Sequence, residues 1–204
     1  MAKIAKIDSL NPDQKVIEEA AEILRKGGLV IIPTETVYGI AANMLSKKFL
    51  DKLYEIKKRP KDKAFSVHIE EKERVEEFAR AIPVAAYKLM DKFWPGPLTI
   101  ILKSKNGGTV GLRMPDDDIA LRVIGLAGVP VGCPSANLSG KAAPVNFQGA
   151  IKELEGLVDF AIDAGPKKLQ IESSIADLTK EPVQFLRMGA IKTEDIEAVI
   201  KKKI

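Results

Sequence analysis

Apolar and polar residues alternate along the chain with two periods, and these periods predict helices and strands in turn. Residues 16–24 repeat apolar side chains every three or four positions, which indicates an amphipathic helix. Asn11 suits the cap of that helix, Pro12 its first turn and Gly27 its end. The short aliphatic run 29–32 predicts a buried strand, because it is brief and closed by a proline.

The same two patterns continue to the end of the chain. We predict further helices at residues 49–56, 71–80, 84–93, 119–126 and 147–154, and a last helix that begins at Thr193. We predict further strands at residues 65–69, 98–102, 129–133, 160–163, 174–178 and 183–186. Helices and strands interleaved over 204 residues predict one α/β domain. The strands flanking residues 106–108 are too close for a crossover helix, so we expect a mixed sheet.

The composition is that of a folded globular protein and excludes several kinds of site. Hydrophobic residues make up 46% and charged residues 29%, which argues against disorder. The longest apolar runs fall far below the roughly 18 residues of a membrane span. The chain has one cysteine, Cys133, and one histidine, His68, which excludes an internal disulfide framework and multi-cysteine zinc sites. With no apolar leader either, we expect a cytoplasmic protein that does not enter a membrane.

The charge and the general motifs narrow the function further. A net charge of +4 is compatible with an anionic ligand. The sequence has neither a P-loop nor a GxGxxG motif after a strand, so we expect neither a P-loop ATPase nor a Rossmann dinucleotide site. It also lacks the GxSxG elbow of α/β-hydrolases.

Residues 33–39, Pro-Thr-Glu-Thr-Val-Tyr-Gly, directly follow the buried strand 29–32. Ligands in open α/β folds bind beyond the carboxyl ends of strands, so these hydroxyls, carboxylate and phenol could orient a small polar substrate. A strand-to-helix turn, in which the threonines satisfy backbone groups, explains the same residues.

Residues 57–63, Lys-Lys-Arg-Pro-Lys-Asp-Lys, form a basic segment after a predicted helix. Arg59 offers a fork suited to phosphate, and Lys57 and Lys63 add point charges. A solvated basic helix end, favoured by the helix dipole, is the alternative.

Residues 109–115 place Thr109 and Arg113 on one face of a strand. An arginine beside a hydroxyl can hold a carboxylate or phosphate. The alternative is an edge-strand arginine paired with one of the aspartates at 116–118.

Three further segments carry polar residues next to predicted strands. His68 is expected to be a hydrogen-bonded residue without a metal, since no second ligand lies nearby. Residues 134–140, Pro-Ser-Ala-Asn-Leu-Ser-Gly, could face an anion or nucleotide with backbone N–H groups. Cys133 just before them reads as a buried structural thiol rather than a nucleophile. Residues 172–174 and 186–189 are compatible with ordinary strand ends.

Taken together in this order, the segments resemble the threonylcarbamoyl-AMP synthase family, also called YrdC-like. The series is PTETVYG, KxRP, a strand with His68, FWPGPLT at 93–99, TVGLRMP, PSANLSG, ESS and LRMGAI, and the resemblance covers residues 17–191. It implies one α/β domain over residues 1–204, with a twisted, mostly mixed open sheet flanked by helices around a basic groove. The larger members carry a C-terminal extension that does not appear before residue 204, so the chain resembles the short form.

The resemblance also implies a reaction. L-threonine, bicarbonate or CO2, and ATP would give threonylcarbamoyl-adenylate and pyrophosphate, and a downstream protein complex would use the product to modify an adenosine beside the anticodon of tRNA. Mg²⁺ would accompany ATP and keep mostly phosphate and water ligands, without a dedicated protein site.

Site residues follow from the matching motifs. The resemblance implies that threonine is bound by Thr36, His68, Arg113 and Ser173. It implies that ATP is bound by Arg59, Lys63, Thr109, Ser135, Asn137, Val145 and Arg187. Lys57 and Arg59 would be the catalytic cations near the phosphates. Val145 stands where the family often has a hydroxyl residue, so only backbone or apolar contact is available there. Ala64 and Phe65 replace the family's usual Pro-Leu, which changes a turn and not the ligand set.

The chemistry fits a site rich in cations and hydroxyls. A threonine carbamate is already an anion and needs no strong base to attack the α-phosphate, so catalysis would rest on cations and alignment. Two alternatives stay open. One is a protein that binds tRNA or double-stranded RNA without catalysis, and the other is a carbamoyl-transfer enzyme of the hydrogenase-maturation type.

Overall fold

The computed structural model describes residues 2–61, 63–138 and 140–201. The helices are α1 (Gln14–Arg25), α2 (Lys47–Lys57), α3 (Val75–Phe78), α4 (Val84–Phe93), α5 (Asp118–Ala127), α6 (Phe147–Leu154) and α7 (Thr193–Lys201), with a 3-10 turn at Lys72–Arg74. The strands are β1 (Lys3–Lys6), β2 (Val30–Ile32), β3 (Gly39–Asn43), β4 (Val67–His68), β5 (Leu98–Lys103), β6 (Thr109–Arg113), β7 (Val131–Gly132), β8 (Phe160–Asp163), β9 (Ser174–Asp177) and β10 (Gln184–Arg187).

The described strands join in one ten-stranded sheet, ordered β1-β8-β2-β3-β7-β4-β6-β5-β9-β10. Strand β8 runs parallel to both β1 and β2, and β4 runs parallel to β6. The pairs β2–β3, β3–β7, β4–β7 and β5–β6 are antiparallel. The expected mixed α/β sheet is therefore confirmed.

Helices cover both faces of the sheet, and strand β2 shows how. Its side chains alternate, as they must in a strand. Val30 and Ile32 pack into a cluster with helices α1 and α5, whereas Ile31 packs on the other face with α2 and α6. A third cluster joins α4 and α7 to strands β5 and β9. Each fully buried aliphatic side chain contributes on the order of 2 kcal/mol, so both faces stabilise the scaffold that carries the loops.

The N-cap of helix α1 lies two residues later than the sequence pattern predicts. The expectation that Asn11 caps it is wrong, because the carboxylate of Asp13 accepts the backbone N–H of Lys15 at 2.9 Å. The helix ends at Arg25, and the predicted terminator Gly27 follows the C-cap Lys26 with a φ of +90°, a conformation that side-chain-bearing residues avoid.

Two strands were not predicted. Strand β3 reads Gly-Ile-Ala-Ala-Asn and carries little strand propensity, yet it is buried throughout and pairs with β2 and β7. Residues 33–38 therefore connect two strands, so the alternative of a strand-to-helix turn is wrong, although Thr34 does hydrogen-bond to the backbone of Thr36 and Val37 as that alternative expected. Strand β1 lies at the sheet edge beside β8. The helix predicted at 71–80 is reduced to a 3-10 turn and the four-residue α3.

Some residues of the sequence motifs lie outside the described part of the chain. These are Asp62 of the basic segment, Ser139 of the 134–140 segment and the Lys-rich residues 202–204. Within the described ranges, every helix is too short or too polar to cross a lipid bilayer.

Candidate functional site

A cavity of about 250 Å³ gathers most of the candidate residues from distant parts of the sequence. Nine of the twelve predicted site residues line it: Thr36, Lys57, Arg59, His68, Arg113, Ser135, Asn137, Ser173 and Arg187. They belong to the connection after β2, the end of α2, strands β4 and β6, the loop after β7 and the two ends of the β9–β10 hairpin. The fold thus brings together groups that are up to about 150 residues apart in the chain.

Three predicted residues do not line this cavity. Lys63 is exposed, and it contributes its backbone carbonyl to Arg59. Thr109 is exposed at the start of β6, at the opposite end of the strand from Arg113. Val145 lines a neighbouring cavity of about 620 Å³ that shares Asn137 with the first. Nucleotide contact by these three residues stays a prediction.

Strand register places His68 beside Arg113. Strands β4 and β6 are parallel neighbours, and the two residues are direct Cα partners. Strand β6 lies between β4 and β5, so the alternative of an edge-strand arginine is wrong. Nor does Arg113 pair with the aspartates that follow it, since Asp117 caps helix α5 by accepting the N–H of Ala120 at 3.0 Å.

The guanidinium of Arg113 is held from two sides. Its Nη2 donates to Glu35 Oε2 at 2.8 Å and to Thr36 Oγ1 at 2.9 Å. Its Nε donates to the carbonyl of Gly96 at 3.2 Å. Nη1 makes no hydrogen bond to the described residues, so the arginine presents one fixed nitrogen to the cavity that it lines.

His68 is buried at the wall of the cavity and is uncharged at neutral pH. Burial, and secondarily the positive charge of Arg113, lower the pKa of His68 to about 3. Within the described chain its Nδ1 has no hydrogen-bond partner, although the atom is buried. A neutral imidazole with an unused nitrogen can accept or donate one hydrogen bond to a ligand, but it adds no charge.

Lys57 is directed at the loop after β7. Its ammonium donates to the carbonyls of Ser135 at 2.7 Å and Asn137 at 2.6 Å, and to Asn137 Oδ1 at 2.9 Å. Asn137 in turn donates to the carbonyl of Lys141 at 2.6 Å, and its Oδ1 accepts from Ser135 Oγ at 2.6 Å. Burial lowers the pKa of Lys57 to about 8. The lysine therefore orders the Ser135–Asn137 segment that lines the cavity.

Arg59 leaves part of its guanidinium available. Its Nε donates to the carbonyl of Lys63 at 2.7 Å and its Nη2 to that of Ala64 at 3.0 Å. The group stacks over the ring of Phe65, 5.1 Å from the ring centre. As in Arg113, no described residue accepts from Nη1, which suits an arginine that awaits an anion.

Arg187 differs because every nitrogen of its guanidinium is engaged. Its Nε donates to the carbonyl of Ser173 at 2.8 Å, and Nη2 donates to Ser173 Oγ at 2.9 Å. Its Nη1 donates to Glu172 Oε1 at 2.6 Å. Burial lowers the pKa of Arg187, and the carboxylate of Glu172 opposes that effect.

Sequence reasoning missed the roles of Thr99 and Glu172, which also line the cavity. Thr99 is buried, and its Oγ1 lies 3.0 Å from Ser173 Oγ. Both residues fall inside motifs that were recognised, at 93–99 and 172–174, but nothing in the sequence shows which motif residues face a shared space.

Two glycines allow the walls of the cavity to approach each other. A Cβ on Gly39 would lie 2.4 Å from Cys133 Sγ, and a Cβ on Gly189 would lie 2.5 Å from the carbonyl carbon of Ser173. Cys133 is buried, and desolvation raises its pKa to about 12, so the thiol stays protonated. The thiol therefore packs against Gly39 and does not serve as a nucleophile.

The lining groups give the cavity a strong preference for anions. Lys57, Arg59, Arg113 and Arg187 carry positive charge, and Glu172 is the one carboxylate among the described lining residues. The described residues contain no group of three or more His, Cys, Asp or Glu that could hold a metal ion. Cations with hydroxyls and amides between them match a ligand that carries phosphate and carboxylate groups.

Comparison with known proteins gives consistent matches. The family model Sua5_yciO_yrdC, described as "Telomere recombination", matches residues 22–189. A threonylcarbamoyl-AMP synthase of Pyrococcus abyssi is 40% identical over 193 residues, which is 90% of this chain and 57% of the relative. A protein of the same name from Bacillus subtilis is 38% identical over 95% of this chain and 59% of the relative.

A solved structure shows the same fold. The crystal structure of P. abyssi Sua5 complexed with L-threonine superposes with a TM-score of 0.92 at 37% identity, over 97% of this chain and 61% of that one. This agreement confirms the single α/β domain with a mixed sheet flanked by helices. The chain spans somewhat less than two thirds of the length of these relatives.

Proposed function

This chain belongs to the Sua5/YciO/YrdC family, and we propose that it is an L-threonylcarbamoyladenylate synthase. The reaction joins L-threonine, bicarbonate or CO2, and ATP, and it releases pyrophosphate. The observation that carries the proposal is the convergence of nine predicted residues on one cavity with four cationic side chains. The named relatives and the threonine complex of one of them support the same substrates.

The amino-acid end of the substrate fits the part of the cavity around Arg113. The free Nη1 would hold the threonine carboxylate, because a fixed guanidinium nitrogen donates well to an oxyanion. The buried hydroxyl pair Thr99–Ser173 and the neutral imidazole of His68 can each exchange hydrogen bonds with the threonine hydroxyl or the carbamate.

The nucleotide end fits the part between Arg59, Arg187 and the Ser135–Asn137 segment. Two arginines offer charge and directional donors for the phosphates. The second cavity, with Val145 and Lys152 on its wall, opens at Asn137 and provides room for the nucleoside. Val145 then contributes apolar contact, and the exposed Lys63 attracts the phosphates at longer range.

The chemistry requires alignment more than acid–base help. Addition of CO2 to the threonine amine gives a carbamate, and one carbamate oxygen attacks the α-phosphorus of ATP. The bond from the α-phosphorus to the bridging oxygen breaks, and pyrophosphate leaves with that electron pair. Both reactants are anions, so the cations of the cavity offset their repulsion and hold them in line. His68 orients threonine by hydrogen bonding and is an uncharged imidazole at neutral pH.

Mg²⁺ would enter with the triphosphate. Among the described residues the cavity offers it one carboxylate, Glu172, and that group is already paired with Arg187. Mg²⁺ readily keeps phosphate and water oxygens as ligands, so these donors fit an ion that belongs to the nucleotide.

The product would serve a downstream, cytoplasmic protein complex that modifies tRNA next to the anticodon. Threonylcarbamoyl-adenylate is a mixed anhydride, which makes it a good donor of the threonylcarbamoyl group to an amine. Direct contact of this protein with tRNA is part of the same proposal, since the exposed Lys141 and Lys152 on the second cavity carry charge that suits it.

Pyrophosphate release tests the proposal. The protein is incubated with ATP and bicarbonate and with each amino acid in turn, and we expect release that depends on threonine and on bicarbonate. Arg59→Ala should abolish ATP binding, whereas Glu77→Gln, an exposed residue outside the cavity, should leave turnover unchanged.

Two results would contradict it. Dependence on carbamoyl phosphate in place of threonine would favour a carbamoyl-transfer enzyme. Salt-sensitive RNA binding without any ATP turnover would favour an RNA-binding protein.

A further inference from the structure

Two arginines that line the cavity are each paired with a glutamate, and the two ion pairs differ in their access to water. In the pair Arg113–Glu35 the side chains are 6% and 3% exposed. In the pair Arg187–Glu172 they are 35% and 37% exposed. The first pair is a fixed part of the wall, because separating buried charges is costly. The second pair can open, because water can solvate both partners.

The hydrogen bonds show what opening would achieve. Arg59 and Arg113 each keep an Nη1 without an acceptor among the described residues, whereas the Nη1 of Arg187 is taken by Glu172. The other two nitrogens of Arg187 are fixed by Ser173, which is buried. An anion that approaches Arg187 therefore gains full access to Nη1 only by replacing the carboxylate of Glu172.

We propose that Glu172 is a displaceable counter-ion that competes with phosphate groups for Arg187 and so weakens the binding of polyphosphates, including the product pyrophosphate. This inference rests on the proposed function, in which Arg187 receives a phosphate. Of the described lining residues one is a carboxylate and four are cations, and this carboxylate limits the affinity for the leaving group and favours its release. The role is one of specificity and release, since Glu172 touches Arg187 and takes no part in bond formation.

Calorimetric titration with inorganic tripolyphosphate, and separately with ATP, tests this directly. Glu172→Gln keeps the shape of the side chain and removes its charge. A half-exposed ion pair is worth up to about 1 kcal/mol, so the variant should bind tripolyphosphate about fivefold more tightly at low salt. The gain should shrink as salt is added, because both charges are partly solvated.

Two comparisons separate local competition from a general change of charge. Glu77→Gln removes one negative charge on the exposed side of α3, outside the cavity, and should not alter the affinity. In the Arg187→Ala background, Glu172→Gln should tighten binding much less, because the longer-range repulsion of the anion by Glu172 is then the one effect left to remove.

The outcomes are distinct. Unchanged or weaker binding by Glu172→Gln, or equal tightening in the Arg187→Ala background, overturns the inference. Because tripolyphosphate binding needs no turnover, failure here leaves the threonine-dependent release of pyrophosphate untouched. If Glu172→Gln binds tripolyphosphate more tightly as expected but the unsubstituted protein shows no threonine-dependent release of pyrophosphate, the proposed function alone is contradicted.

Discussion

Arg113 donates to Glu35 at 2.8 Å in an ion pair that is almost completely removed from water. Glu35 does not line the cavity, yet its hydrogen bond to Nη2 holds the guanidinium of Arg113, which does. The buried carboxylate of Glu35 thereby helps to fix the orientation of a guanidinium that lines the cavity. This arrangement makes Glu35 a positioning residue for Arg113, and it leads to the first prediction.

Replacing Glu35 should affect both stability and threonine binding. Glu35→Ala leaves the buried charge of Arg113 uncompensated, so the free energy of unfolding should fall by about 3–5 kcal/mol. Glu35→Gln keeps the shape and should raise the KM for threonine more than the KM for ATP. Denaturant titration and steady-state kinetics measure the two effects. Equal changes in both KM values would show that Glu35 supports the whole cavity and has no special link to Arg113.

The single histidine should make stability fall in mild acid. The pKa of His68 is about 3 in the folded chain and about 6.5 when unfolded, so between these values the unfolded state binds the extra proton. Stability is therefore lost as the pH falls from about 6.5 toward 3. Unfolding of His68→Asn should depend less on pH over this window. The pH profile of turnover near 6.5 should have the same shape in the unsubstituted protein and in His68→Asn, because His68 does not titrate there in the folded chain.

Lys57 should limit activity on the alkaline side. Its pKa is about 8 in the folded chain against 10.5 when unfolded, so deprotonation above about pH 8 relieves a buried charge and does not destabilise the fold. A neutral amine has only two N–H donors for the three acceptors of the Ser135–Asn137 segment, so we expect nucleotide affinity to fall as the pH rises through 8. Lys57→Met should bind ATP more weakly at every pH and lose that pH dependence. A retained alkaline decline in this variant would assign the effect to another group.

A matched pair of substitutions tests the close contact between Gly39 and Cys133. Gly39→Ala puts a Cβ 2.4 Å from Cys133 Sγ, and overpacking of this kind costs about 1–3 kcal/mol. Removing the sulfur with Cys133→Ala should restore much of that loss in the double variant. Gly189→Ala offers the contrast, because its Cβ meets the backbone of Ser173, which no side-chain change can relieve. Thermal unfolding of the four variants checks both expectations.

The periodicity of apolar residues predicted a helix or strand correctly where the segment's own residues determine its structure. Helices α4 and α6 begin and end at the predicted residues, because their apolar periodicity is clear and their flanking residues stop them. Strand β3 was missed because its glycine and alanines carry no strand signal, and pairing with β2 and β7 alone makes it a strand. Such tertiary pairing overrides local propensity and is not visible in a sequence window.

The candidate site, too, could be predicted from the sequence only in part. The family resemblance implied Thr36, Arg113 and Ser173 as site residues, and all three line the cavity. The sequence did not show in which direction a side chain points in the folded chain. Lys57 lines the cavity, and its position near phosphates stays a prediction, but the sequence did not show that its ammonium donates to the carbonyls of the Ser135–Asn137 segment. Those carbonyls lie about 80 residues away in the chain, and only the folded path of the loop after β7 brings them to the lysine.

The pairing of β4 with β6 has a consequence for anyone who engineers this scaffold. Strand β4 is only two residues long, and its last residue, His68, is the direct partner of Arg113. A shift of one position between the strands would exchange Val67 for His68 and turn the imidazole toward the helices. We expect single-residue insertions or deletions in residues 63–66 to abolish turnover while the ten-stranded architecture survives, so the length of this short connection sets the position of the imidazole.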